Sequence, residues 1–273
     1  MTDVNAFLAA GARDGLLPWE VQRAAADRFG LTVAAVEAEA LRADLLPQRY
    51  TRNRSTISTA GQRRLFESRV VVIGCGGLGG YVVEELARLG VGNLDLVDPD
   101  VFEEHNLNRQ LLSTPGELGR PKVEAGQRRV AEVNPAVTVR ARRLAFTRES
   151  GRELLAGADA VADALDNLLT RRDLAASCRE LAVPLVHGAI GGWYGQVATQ
   201  LPGDDLSPLL GGPGGDGKGV ERGLGNPAFT PAVVASLQVA ELAKVLLREG
   251  RPLSRRALVI DLRDMEFEVF RHG

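Results

Sequence analysis

The sequence predicts an α/β fold. We expect a mainly parallel sheet with antiparallel strands added at its C-terminal end, helices on both faces, and a small helical module ahead of it. Three observations carry that expectation. Between residues 69 and 190, β-branched runs alternate with stretches of helical periodicity, the rhythm of strand–helix–strand units. The first of those runs meets a glycine-rich turn, "GCGGLGG" at 74–80. After residue 190 strand-like segments follow one another closely, as antiparallel neighbours do.

The elements are taken in order. Residues 1–48 read as a module of three helices at 3–12, 18–29 and 32–44, with Pro18 in a first turn and Thr32 as an N-cap. From 49 onward a single larger domain runs to 273. Its strands are expected at 69–73, 93–98, 137–143, 159–165 and 184–190, with helices at 77–89, 121–133, 148–156 and 168–182 between them. Helix 77–89 places Val82, Leu86 and Leu89 on one face, at i, i+4 and i+7. Strands 194–201, 256–263 and 266–271 extend the sheet, the last two joined by a tight Asp264–Met265 connection. Helix 231–249 is apolar on most faces and reads as buried core or a subunit contact. Residues 202–227 carry nine glycines and little apolar surface, so we expect a mobile crossover loop.

Composition excludes several classes. With 45% hydrophobic and 25% charged residues, this 273-residue chain is ordinary globular material. A formal net charge of −2 gives no general attraction to nucleic acid or anionic membrane. The three-helix module could suggest a DNA reader, but its seven acidic residues outnumber four basic ones and would repel phosphate. A docking or dimer-supporting role suits residues 1–48 better. The two cysteines, Cys75 and Cys178, are too far apart for a local metal motif, so neither zinc nor a disulfide scaffold is expected. No signal sequence and no unbroken apolar run of membrane-spanning length occur, which points to a cytoplasmic protein.

The site begins at the glycines. Gly74, Gly76 and Gly79 have the Gly-x-Gly-x-x-Gly spacing, with Gly77 between them, and sit where a strand turns into a helix. That geometry lets a pyrophosphate rest on the helix N-terminal amides, a Rossmann-like arrangement that serves NAD and ATP equally. Nineteen residues beyond Gly79, Asp98 ends the second strand and is positioned to accept hydrogen bonds from a ribose. Asn106, Arg109, Gln110 and Lys122 follow closely. A diphosphate needs no further cations, whereas a triphosphate losing pyrophosphate does, and Arg and Lys supply them. The bland alternative makes Arg109 and Lys122 solvated loop residues. Asp163, Asp166 and Asn167 close the strand at 159–165, on the sheet edge where ligands bind. Asp166 suits Mg2+, and Asp166 or Asn167 also suits an N-cap of the next helix.

These segments together carry a resemblance. "RYTRN" (49–53), "GCGGLGG" (74–80), "DPDVFEEHNLNRQ" (98–110), "GRPKVEA" (119–125) and "DALDN" (163–167) resemble the ThiF/MoeB/HesA family, relatives of the ubiquitin-activating enzymes, in order over residues 49–250. The resemblance implies Mg-ATP-dependent adenylation of the C-terminal carboxylate of a small ubiquitin-like sulfur carrier ending in Gly-Gly. It implies that the glycine turn cradles ATP, that Asp98 holds the ribose, and that Asn106, Arg109, Gln110 and Lys122 surround the phosphates. It further implies Asp166 as the Mg2+ ligand beside the reacting carboxylate. Arg52 would reach into the partner's site in a homodimer, with Arg54 a near substitute. Other substrates remain open, a tRNA-bound or peptide group among them, as does an NAD-dependent oxidoreductase. Neither the carrier nor its pathway (thiamine, molybdenum or tungsten cofactor, cysteine) can be read.

The chain departs from that family's common pattern in lacking two CxxC pairs, so no zinc is expected, and in lacking any cysteine beyond 197 to hold a product. Cys178 reads as a core residue and Cys75 as a small side chain in a crowded turn. His187, at the end of a strand, either packs in the core or faces the site. Trp193 and Tyr194 either line a channel for an extended tail or are ordinary sheet aromatics.

Overall fold

A run of Val70, Val71, Val72 and Ile73, apolar on both faces, can only be a strand covered on both sides. In the computed structural model, which describes residues 3–210 and 221–272, that run is strand β3 (Arg69–Ile73) at the middle of an eight-stranded sheet. Ahead of it lie α1 (Asp3–Gly11), β1 (Leu16–Leu17), α2 (Trp19–Phe29), α3 (Val33–Arg42), β2 (Leu46–Pro47) and α4 (Thr59–Glu67). The chain then alternates through α5 (Gly77–Leu89), β4 (Asn93–Val97), α6 (Lys122–Val133), β5 (Thr138–Arg142), α7 (Arg148–Leu155), β6 (Ala160–Asp163) and α8 (Leu168–Glu180). It ends with β7 (Leu185–Gly191), β8 (Tyr194–Gln200), α9 (Glu221–Leu224), α10 (Phe229–Leu247), β9 (Arg256–Asp261) and β10 (Glu266–Arg271).

The sheet order is β10-β9-β8-β7-β6-β3-β4-β5. Strands β5, β4, β3, β6 and β7 run parallel, and β8, β9 and β10 add on antiparallel, as the sequence predicts. From β3 the chain winds outward through β4 to β5, then returns to place β6 on β3's other side. That reversal opens a crevice at the carboxyl ends of β3, β4 and β6, the position where open α/β sheets bind ligands.

One face carries α5, α6 and α10, whose Val82, Leu86, Val130, Val234 and Leu242 pack on Val70, Val72 and Leu94. The other carries α7 and α8, with Leu154, Leu155, Leu174 and Cys178 over Val71, Ile73 and Val161. Helix α10 is long and apolar enough to suit a membrane span, but its Val234, Ala235, Gln238 and Leu242 are wholly buried against the sheet and α5, which makes it a core helix.

Three differences from the sequence expectation have physical reasons. Helix α4 was not anticipated; its interior Gly61 and polar Gln62, Arg63 and Arg64 mask its pattern, but Ser58 caps it by accepting from Gly61 N at 3.1 Å. Strand β6 ends at Asp163 rather than 165, because the Asp163 carboxylate accepts from Leu165 N at 3.1 Å and turns the chain. The β9–β10 connection spans residues 262–265, with Met265 at φ 57°, rather than two residues.

Of the segment 202–227 expected to be mobile, residues 211–220 lie outside the described residues. On its near side Leu206 and Leu210 are buried in the second core, and Asp204 is held by Ser254 at 2.6 Å and Arg255 at 2.9 Å. Helices α1, α2 and α3 share a small core of their own, Leu8, Leu17, Ala25, Val36 and Ala40. A polar joint ties that core to the sheet domain. Glu37, wholly buried, accepts from the Tyr50 hydroxyl at 2.7 Å and from Arg49. Asn134, at the end of α6, donates to the Tyr50 oxygen at 2.8 Å and accepts from Arg49 at 2.9 Å. Burial raises the Glu37 carboxyl above its ordinary value, against the pull of Arg49 and Tyr50.

Candidate active site at the sheet crevice

Gly74 leaves β3 at φ +94°, a left-handed conformation suited to glycine. A Cβ there would lie 2.5 Å from Ala164 O, and one at Gly79 would lie 1.9 Å from Gly74 O. Only glycine therefore lets α5 seat its first turn against the strand end. Gly76 is the N-cap of α5, so unpaired amides of that first turn point into the crevice. The crevice is a cavity of about 320 Å³, within the roughly 300–1,000 Å³ usual for small-molecule sites.

Most of the residues singled out in the sequence line this cavity: Gly74, Gly76 and Gly77 on its floor, and around it Asp98, Arg109, Gln110, Lys122, Asp166 and Asn167. Asp98 stands just past β4 and is nearly buried, accepting from Cys75 N at 2.7 Å and Asp100 N at 2.8 Å. Burial raises its carboxyl, while the Lys122 charge and those two N–H groups hold it back. Lys122 begins α6 after Pro121, with its ammonium buried and 3.0 Å from the exposed Asp100 carboxylate. Arg109 donates to His105 O at 3.0 Å and Asn108 Oδ1 at 2.8 Å, which sets its guanidinium beside Gly77. The Gln110 Oε1 is buried without a partner among the described residues, while the Gln110 Nε2, a donor, lies beside Gly76.

Asp166 is exposed on the cavity wall, and Asn167 caps α8 by accepting from Thr170 N at 3.0 Å. An exposed carboxylate facing a phosphate cradle fits Mg2+, which takes one or two carboxylates and fills its octahedron with phosphate oxygens and water. The cradle itself fits a nucleotide polyphosphate.

Three expected residues are not brought to the cavity. Gly79 lies under the turn, seated against the Gly74 carbonyl, and does not line the cavity. Asn106 is buried behind it, its Oδ1 accepting from Glu103 N at 3.0 Å, and it lines a neighbouring hollow shared with Lys122 and Arg143. Arg52 stands exposed in the turn after Tyr50, away from the cavity of its own chain. His187 does not line the cavity either; it is buried with its Nδ1 2.7 Å from Asp163. Both cysteines are buried, and burial pushes each thiol up, Cys75 further through the Asp98 charge and Cys178 through Asp163.

The sequence reading missed Ala145, Phe146, Thr170 and Arg171 on the cavity wall. Arg171 had a usable signal: it lies one helical turn beyond the N-cap Asn167, on the face that returns toward the strand ends. Ala145 and Phe146 had none, since only the β4–β5 pairing brings them there. Ile190 lines both this cavity and an adjoining apolar groove of about 410 Å³ with Tyr194, Gln196, Leu224 and Val259. Trp193 packs against Phe229 nearby, ring centroids 4.6 Å apart and planes tilted by 46°.

The comparisons with known proteins bear on this geometry. The model of the ThiF family matches residues 50–273. The chain is 39% identical to the SAMP-activating enzyme E1 of Haloferax volcanii, over 81% of this chain and 83% of that one. It is 38% identical to the sulfur carrier protein adenylyltransferase of Thermus thermophilus, over 77% and 81%. It is 34% identical to the molybdopterin-synthase adenylyltransferase of Salmonella typhimurium, over 76% and 84%. Among solved structures, E. coli MccB with ATP superposes with a TM-score of 0.70 at 22% identity, over 82% of this chain and 71% of that one, a likeness of fold. PaaA does so at 0.71 and 20%, over 88% and 81%.

Proposed function

The chain belongs to the ThiF family, and from that premise we propose that this adenylyltransferase uses Mg-ATP to activate the C-terminal carboxylate of a small ubiquitin-like sulfur carrier. The observation that carries the reading is the meeting of two spaces at Ile190. A glycine-floored cavity with Arg109 and Lys122 adjoins an apolar groove of about 410 Å³, which in this reading takes the carrier's extended tail.

A free carboxylate is a poor electrophile. Its attack on the α-phosphorus of ATP forms a carboxyl–phosphate anhydride and expels pyrophosphate, leaving AMP as the later leaving group. The nucleophile is already charged, so no base is required; orientation and charge neutralisation do the catalysis. In this reading Asp98 accepts from the ribose, and the α5 amides, with Arg109, Gln110 and Lys122, hold the phosphates. Asp166 would hold Mg2+, which would supply positive charge beside the phosphates. Lys122 exchanges its Asp100 partner for phosphate oxygens. Asn106 supports the loop that carries Arg109. Arg52 serves the site of a partner copy, which makes the homodimer the active unit.

An NAD-dependent reaction would leave Arg109 and Lys122 without work, because a diphosphate on a helix N-terminus needs no added cations. ATP–pyrophosphate exchange with Mg2+, run against carriers ending in Gly-Gly, tests the reading. Exchange is expected to require one carrier and to vanish when its last glycine is removed. Arg109→Ala and Asp166→Ala are each expected to lower exchange by about a thousandfold while the fold persists. Wild-type exchange in both variants would refute the assignment.

A further inference from the structure

Behind the wall that bears Asp166, and reaching it through Arg171, lies a buried polar cluster to which the proposed chemistry assigns no role. Asp163, His187 and Arg171 are 0%, 1% and 5% exposed. The Asp163 carboxylate can only accept, so His187 Nδ1, at 2.7 Å from Oδ2, carries the proton between them. The other oxygen, Oδ1, accepts from Leu165 N at 3.1 Å. Arg171 lies 3.8 Å from Asp163 Oδ2 and donates to Leu165 O and, at 3.3 Å, to Gly188 O. Gln238 donates to Asp163 O at 2.9 Å and Val186 O at 3.3 Å, which ties the ends of β6 and β7 together.

Leu165 is thus held on both sides, its N–H by Asp163 and its carbonyl by Arg171. That carbonyl belongs to the peptide bond leading into Asp166. The Asp166 side chain is exposed, so its direction depends on this backbone grip. Three ionisable groups buried together are a costly way to join two strands, which apolar side chains would do as well. What apolar side chains cannot do is fix a peptide plane.

We propose that His187 is a positioning residue for the Mg2+ ligand Asp166: its Nδ1–H locks the Asp163 carboxylate in the rotamer that grips Leu165. This rests on the Mg-ATP reading above. Without the Nδ1 donor, the carboxylate turns toward Arg171 and releases Leu165 N, and the Asp166 loop loosens. His187 Nε2 has no hydrogen-bond partner among the described residues, so the role belongs to Nδ1 alone.

Two substitutions separate positioning from packing. His187→Asn keeps a donor at the Nδ1 position and sacrifices volume; His187→Leu keeps volume and sacrifices the donor. Three measurements are made on each full-length variant: the Mg2+ concentration for half-maximal ATP–pyrophosphate exchange, the Mg2+ dependence of ATP binding by calorimetry, and the melting temperature without nucleotide. Positioning predicts that His187→Leu needs about tenfold more Mg2+ in both Mg2+ titrations, with turnover at saturating Mg2+ within about threefold of wild type. His187→Asn stays within about twofold of wild type in those titrations, even where its melting temperature falls further. If His187→Leu does not fold, His187→Gln, whose amide nitrogen reaches the Nε2 position, is scored in its place. Unchanged Mg2+ titrations in the donorless variant, or an equal rise in His187→Asn, overturn the proposal. A wild type that binds ATP with Mg2+ but exchanges on no carrier refutes the carrier reading and leaves calorimetry to judge His187. A wild type whose ATP binding ignores Mg2+ overturns both.

Discussion

Gly79 shows how little freedom the site's sequence has. A single methyl placed there lies 1.9 Å from the Gly74 carbonyl oxygen, a backbone atom with nowhere to go, because Gly74 N is itself bonded to Val97 O at 2.9 Å. Gly79→Ala must therefore push the first turn of α5 off the strand end. We expect a loss of about 2–4 kcal/mol in chemical denaturation, together with the loss of calorimetric ATP binding. Gly223, whose added Cβ would meet nothing within 4 Å among the described residues, is the control, and Gly223→Ala is expected within about 0.5 kcal/mol of wild type. Comparable destabilisation in both would mean that the glycine turn is not the tight seat described. The charged residues around the turn obey a similar economy. Asp98 is held by two backbone N–H groups and Lys122 by Asp100, so both are set in place before any nucleotide arrives.

At the scale of elements, a carboxylate is among the anchors at the near end of the stretch between β8 and α10. Asp204 accepts from Ser254, Arg255 and Leu201 N, and joins residues 201–210 to the start of β9. Partial burial pushes its carboxyl up, but the Ser254 hydroxyl, Arg255 and the Leu201 N–H outweigh that and hold it below its ordinary value. A lowered folded-state pKa means that the native state favours the ionised form. The stability it contributes is present above the unfolded carboxylate pKa and is lost as pH falls through the folded one. Asp204→Asn is therefore expected to cost about 1–2 kcal/mol at pH 7, and the gap to wild type to close on acidification in pH-resolved thermal melts. A gap independent of pH would assign the cost to geometry rather than charge. What the sequence disclosed follows the same division between local and distant partners. The glycine turn, Arg109, Lys122 and Asp166 were legible because each has its meaning within a few residues of a strand end or helix start. Asp163, His187 and Arg171 were not legible as a group, since only the β6–β7 pairing brings Asp163 opposite His187. The parallel contact of β1 with β2, Leu16 to Leu46, is equally invisible, being two residues long and fixed by the helices between them.

At the scale of the whole molecule, the placement of Arg52 bears on the proposal that two chains make one site. Arg52 is exposed beyond Tyr50, among neighbours of which Arg49 and Tyr50 are committed inward to Glu37 and Asn134, and Asn53 to Gln62 at 3.2 Å, while the exposed Arg54 donates to Asp14 O at 3.3 Å. That joint grips α3 and the end of α6, so the helical module fixes where Arg52 is presented. An arginine so mounted and absent from its own cavity suits a site in a second copy. Complementation tests this directly. Arg52→Ala and Asp166→Ala homodimers are each expected to be nearly inactive in ATP–pyrophosphate exchange. When the two are mixed and allowed to exchange subunits, half of the dimers become mixed. In each mixed dimer, the Arg52→Ala subunit keeps its own Asp166 and receives Arg52 from its partner, while the other site carries both lesions. One site in two, in half of the dimers, is then intact, so exchange is expected to recover to about a quarter of wild type. An arginine acting within its own chain would leave every site with one lesion, and mixing would restore nothing. Recovery that appears only as fast as subunits exchange would tie the activity to the dimer, and with it the helical module to catalysis through the position of Arg52.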